Sequence, residues 1–167
     1  TGFKPYNARK NTGFFRYFLV RKSFCEDKFL ISLITTSEHK NDFDIQGFAD
    51  LLTQNLKDRI AGFFWQISDD IADSSQKYTE RKLIFGIEKI IEKLNDLAFE
   101  ISLDSFFQTN VISAEKLYEK AISYLGQSNE KLKLFDLFCG TGTISQMIAQ
   151  QFPNSEVYGV EIIESAI

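Results

Sequence analysis

The sequence predicts an α/β chain in two parts. Roughly 1–105 reads as a smaller mixed α/β domain, and roughly 106–167 reads as the start of a Rossmann-like, doubly wound sheet. Three observations carry this. From residue 131 the order is strand, glycine turn, helix, turn, strand, which is a βαβ unit with parallel strands and a right-handed crossover. Upstream, apolar runs of strand length alternate with one clear helical period. The composition, 44% hydrophobic and 25% charged with 17 Phe, supplies a substantial core.

The elements follow in order. "GFFRYFLVR" (13–21) is aromatic and β-branched, which predicts a strand. "KFLISLITT" (28–36) is nearly all apolar, which predicts a buried strand paired to the first through the turn "KSFCED". "NDFDIQGFADLLTQNL" (41–56) changes period, with Phe48, Leu51, Leu52 and Leu56 on one face and Asn41 or Asp42 as its cap. "IAGFFWQIS" (60–68) and "RKLIFG" (81–86) return to strand composition, with Phe63, Phe64 and Trp65 assigned to the core. Residues 87–102 read as two short strands about an Asn95-Asp96 hairpin turn. "SAEKLYEKAISYLG" (113–126) is a helix capped by Ser113, with Leu117, Tyr118, Ala121, Ile122 and Leu125 inward and Gly126 at its end. Then come the buried strand "KLKLFDLF", the turn "CGTG", the helix "TISQMIAQQF" and the strand "EVYGVEI". Two parallel strands are too few for a stable sheet of that kind, so the chain is expected to be a fragment.

Charge and cysteine usage narrow the class. The net charge of -4 argues against a general nucleic-acid binder. Yet residues 1–22 carry Lys4, Arg9, Lys10, Arg16, Arg21 and Lys22 and no acid. This stretch is expected to be a solvated strand edge, with RNA contact as the close alternative because its bases interleave with Phe14, Phe15, Tyr17 and Phe18. No apolar stretch reaches the ~18–20 residues of a membrane span, and two cysteines 114 positions apart suggest a reducing, cytoplasmic setting. His39 lies in a polar loop and is expected to be solvated.

"DLFCGTGTIS" (136–145) carries the chemistry. Gly140 and Gly142 permit positive φ and close approach of a ligand, and a helix opening at Thr143 presents N–H groups. Glu161 ends the next strand, 19 residues after Gly142, where a carboxylate can accept from both hydroxyls of a ribose. The ligand is then an adenosine-containing molecule, NAD or S-adenosylmethionine. The dinucleotide fingerprint needs a third glycine, and Ser145 stands in its place. That favours the methyl donor over a nicotinamide-dependent oxidoreductase, and a turn without ligand is the bland alternative. Asp136 is expected to orient the turn.

"FEISLDSFFQTN", "AEKLY", "DLFCGTGTIS" and "GVEIIESAI" together resemble the RNA uracil-5-methyltransferases, as does "RKLIFGIEKIIEKL" upstream. The resemblance is close over 81–167 and looser over 1–80. It implies an S-adenosylmethionine-dependent enzyme acting on carbon 5 of a uridine, with "DLFCGTG" nearer the ribosomal RNA branch than the transfer RNA branch. It implies that Gln108 contacts the cofactor, that Phe138, Gly140 and Thr143 belong to the cofactor-contacting turn, and that Glu161 binds ribose. In that family a thiolate adds to carbon 6, carbon 5 takes the methyl group, and a base removes the proton. The thiol, the base, the proline-rich motif and the amino-terminal RNA-binding barrel match nothing here. The chain is therefore expected to supply cofactor binding and RNA contacts, to contain no catalytic residue and no metal site, and to be inactive alone. Cys139 is expected to be a small packing residue.

Overall fold

The computed structural model describes residues 2–71, 74–75, 77–126 and 131–163, which divide into two compact units. The first comprises Thr1–Ile90 with Ser102–Asp104, and the second Ile91–Ile101 with Ser105–Ile167. The hairpin that the sequence analysis assigns to the first part thus groups with the second unit.

The first unit is a four-stranded sheet, ordered β1 (Phe15–Ser23), β2 (Lys28–Thr35), β3 (Ile60–Ile67), β4 (Glu80–Gly86). β1 and β4 run antiparallel to their neighbours, and β2 and β3 are parallel. α1 (Ile45–Leu56) makes the crossover between the parallel pair. Phe43, Phe48, Ala49, Phe63, Ile31 and Leu33 form the core beneath it. Asp44 caps α1, its Oδ1 accepting from the Gly47 amide at 2.8 Å, in place of the predicted Asn41 or Asp42. The reason is a hydrophobic staple: Phe43, just before the cap, packs on Phe48 with ring centroids 6.0 Å apart. Leu51, predicted inward, is 55% exposed, and Ala49 takes the buried position.

The second unit opens with β5 (Ile90–Leu94) and β6 (Leu97–Ile101), joined at Asn95, whose φ of 51° suits the predicted tight turn. α2 (Val111–Ser123) starts two residues earlier than predicted because Asn110, not Ser113, caps it, accepting from the Ser113 amide at 3.0 Å. Its buried stripe is Ala114, Tyr118 and Ile122, with Val111 packed alongside. Leu117 and Ala121 face outward, contrary to the expected face, because the stripe runs at strict i, i+4 spacing from the earlier start. β7 (Lys133–Leu137) and β8 (Glu156–Val160) pair in parallel, and α3 (Thr143–Gln151) crosses between them. Met147, Ile148 and Phe152 of the α3 segment join Leu94, Phe99, Tyr118 and Ile122 in one core. β7 is not buried on both faces as predicted: Phe135 and Leu137 are 65% and 62% exposed, because only its other face meets α3 and that core. No helix among the described residues is long and apolar enough to cross a membrane.

Candidate functional site

The site is built on the connection from β7 to α3. Phe138, Gly140 and Gly142 all take positive φ, at 66°, 56° and 73°, so the chain doubles back within five residues. Glycine adopts this region at little cost, whereas an aromatic side chain there is strained. The strain at Phe138 is held by β8: the amides of Phe138 and Cys139 both donate to the Val160 carbonyl, at 2.8 and 3.1 Å. The Phe138 ring is 86% exposed.

The helix that follows begins at Gly142, which has no side chain to cap it. Asp136 supplies the cap from the preceding strand. Its Oδ2 accepts from the Ser145 amide at 3.1 Å and from the Ser145 hydroxyl at 2.6 Å. The residue that breaks the dinucleotide fingerprint therefore has a positive role, as partner of Asp136. The third glycine of that fingerprint allows close packing of helix on strand. Here the small residue sits on the strand instead: a Cβ on Gly159 of β8 would stand 2.9 Å from the Cys139 sulfur and 3.4 Å from Ser145 Oγ. Cys139 is half-buried against that glycine.

Glu161 follows β8 and ties back to the turn. Its Oε2 accepts from the Gly140 amide at 2.8 Å, and its Oε1 from the amides of Ile162 and Ile163 at 2.9 Å each. The Ile163 amide, then that of Gly140, hold its carboxyl below the ordinary value of 4.5.

A cleft of about 210 Å³ opens beside this turn. Gln108, Phe138, Gly140 and Thr143 all line it, so the structure brings four of the five predicted binding residues together. Glu161 is outside the lining and reaches it through Gly140. Nothing lies within 4 Å of where a Cβ on Gly140 would stand, so the backbone there is open to a ligand. Phe106, which the sequence reading passed over, also lines the cleft and is 72% exposed. Its signal was available in "SFFQ": of two adjacent aromatics only one, Phe107, is taken into packing, at 5.9 Å from Phe99. Among the described residues no cluster of His, Cys, Asp or Glu is suited to a metal ion.

Known proteins resemble this chain in sequence and in fold. Residues 128–167 match a family described as a methyltransferase domain. The chain is 38% identical over 97% of its length to an uncharacterized RNA methyltransferase of Clostridium acetobutylicum, of which it covers 34%. It is 32% identical over 95% of its length to another from Nanoarchaeum equitans, of which it covers 33%. Among solved structures it matches the Pyrococcus abyssi tRNA (uracil-54, C5)-methyltransferase in complex with S-adenosyl-L-homocysteine. The TM-score is 0.70 and the identity 26%, over 97% of this chain and 36% of that one. The chain thus spans about a third of the length of these relatives. The resemblance to RNA methyltransferases is borne out along nearly all of the chain, and its second unit carries part of a Rossmann-like methyltransferase fold.

Proposed function

We propose, from that kinship with RNA methyltransferases, that this chain is the cofactor-binding part of an enzyme that methylates carbon 5 of a uridine in RNA with S-adenosylmethionine. The observation that carries the reading is the convergence of Gln108, Phe138, Gly140 and Thr143 on one cleft, with Glu161 bonded to its floor. When bound, the cofactor supplies the methyl group. The chain's residues bind and aim it. Gln108 offers an amide to its polar end, the open backbone at Gly140 lets it approach, and Phe138 and Phe106 offer exposed ring faces to its adenine. A cleft of about 210 Å³ lies below the ~300 Å³ lower bound for a drug-sized ligand, so it takes part of the cofactor and the rest extends over these rings.

Glu161 is the ribose ligand in this reading, with one refinement. An ionised carboxylate has about four acceptor positions, and three amides already occupy Glu161. One further strong hydrogen bond, rather than two, then links it to the ribose. The form "DLFCGTG" supports ribosomal RNA as the substrate, and the Pyrococcus abyssi relative, named for transfer RNA, supports the other class.

The test is methyl transfer by the protein that contains this chain, given RNA tritiated at carbon 5 of uridine. Release of tritium dependent on S-adenosylmethionine is the expected result, with ribosomal and transfer RNA assayed side by side. Methyl transfer without tritium release would place the target on another atom.

A further inference from the structure

The first unit carries a group of basic side chains whose employment the structure divides in two. Arg16 is engaged: its Nη1 donates to the carbonyls of Ser68 at 2.9 Å and Asp70 at 2.6 Å, and its guanidinium lies 4.4 Å from the Tyr6 ring. Lys22 pairs with Asp27 at 3.1 Å. Arg21 is partly buried, and desolvation lowers its pKa against the opposing pull of Asp104. Lys4, Arg9 and Lys10 differ. They are exposed, and among the described residues no acid pairs with them.

These three cations stand on an ordered segment. The Asn7 side chain accepts from the amides of Arg9 and Lys10 at 3.0 and 3.2 Å, and the Asn7 backbone N–H donates to the Thr12 carbonyl at 2.7 Å. The segment is fastened to the sheet by Tyr6 donating to the Phe15 carbonyl and Phe14 donating to that of Lys4, both at 2.8 Å. Lys4 and Lys10 line a cleft of about 670 Å³, together with Asn7, Thr12, Glu38 and His39. The His39 ring is half in solvent, lies 5.9 Å from Phe3 at a 53° tilt, and has its Nδ1 3.3 Å from Asp42 Oδ2 and its Nε2 3.7 Å from Glu38 Oε1, so its exposed side is held in place by these contacts.

We propose that this cleft binds the backbone of single-stranded RNA, with Lys4 and Lys10 on phosphates within it, Arg9, outside its lining on the same ordered segment, on a flanking phosphate, and His39 beside a base. The proposal rests on the RNA substrate argued above. Concavity favours a single strand, whose backbone can enter a nucleotide-sized cleft that a duplex would only cover. A base destined for methylation must also be unstacked, which selects single-stranded segments. Preordering by Asn7 means that little chain entropy is lost on binding. Glu38 on the wall keeps the cleft from holding many phosphates at once, which suits a short contact rather than a long basic track.

The test is fluorescence anisotropy of the protein that contains this chain with a short labelled single-stranded RNA across a salt series. The triple variant Lys4→Ala/Arg9→Ala/Lys10→Ala should weaken binding at least about tenfold at moderate salt. It should also flatten the slope of log affinity against log salt by about 2, since each phosphate contact on a single strand contributes roughly 0.7. The single variant Lys10→Glu should weaken it in the same direction, and Lys4→Arg/Lys10→Arg should not. S-adenosylhomocysteine binding, measured on every variant, should stay at the parent value, and an unchanged thermal unfolding midpoint should report an intact first unit. An unchanged slope in the triple variant overturns the proposal. So does an equal loss in the control Lys22→Ala/Lys131→Ala, or absence of salt-dependent RNA binding by the unsubstituted protein. Loss of RNA binding as expected, in a chain with no affinity for S-adenosylhomocysteine, would instead support this cleft and count against the cofactor site.

Discussion

The carboxylate of Glu161 and the amide of Gly140 are 2.8 Å apart, which ties the residue after β8 to the turn after β7. Because the folded pKa of Glu161 is lowered, this tie is present above the ordinary value of 4.5 and is lost as pH falls through the lower folded value. The amide chemical shift of Gly140 should therefore titrate with a midpoint below 4.5. A midpoint at or above it would mean that the carboxylate is not held as described.

Phe138 is an aromatic residue in the left-handed region with its ring in solvent. The conformation costs about 1–2 kcal/mol for a residue with a Cβ, and the entropy of a glycine in the unfolded chain offsets roughly 0.5–1 kcal/mol of any relief. Phe138→Gly should thus raise stability slightly, by up to about 1 kcal/mol, while weakening cofactor binding. Phe138→Leu should weaken binding without the gain. Urea unfolding midpoints decide this, and a destabilised glycine variant would mean that the ring has a packing role.

Asp136 and Ser145 form a cap supplied from outside the helix. Asp136→Ala should cost about 0.5–2 kcal/mol, in the range of N-cap replacements. Ser145→Ala should cost less, because the hydrogen bond from the residue-145 backbone N–H to Asp136 survives. Equal costs in thermal unfolding would show that the hydroxyl alone matters.

Gly159 and Cys139 are matched in size across the strand and turn. Gly159→Ala should destabilise by roughly 1–3 kcal/mol through overpacking. Adding Cys139→Ala should recover part of that loss, a coupling readable in a double-mutant cycle. Cys139→Ala alone should leave cofactor affinity near its parent value, as befits a packing residue.

Much of this was legible in the residues. The strands, the hairpin turn at Asn95 and the glycine turn are local, and each has a local signal. Helix starts were misread where a contact across the cap decided: Phe43 against Phe48 selects Asp44, and the burial of Val111 and Ala114 selects Asn110. The parallel pairing of β2 with β3 follows from the same strand–helix–strand order that marks β7 and β8 as parallel, but the turn before α1 has no glycine motif to flag the unit. At the site, Gln108, Phe138, Gly140 and Thr143 were named from motif and resemblance. The partnership of Ser145 with Asp136, and of Gly159 with Cys139, depends on how closely α3 approaches β8, which spacing alone does not give.

What the glycine turn binds is the central question. Calorimetric titration of the protein that contains this chain with S-adenosylhomocysteine and, separately, with NAD measures this most directly. S-adenosylhomocysteine should bind and NAD should bind more weakly or not at all, with at least about a tenfold loss of affinity in Glu161→Ala, the scale of one hydrogen bond to a charged group, and a comparable loss in Gln108→Ala. Tighter binding of NAD, or affinity for S-adenosylhomocysteine that neither substitution alters, would contradict this assignment.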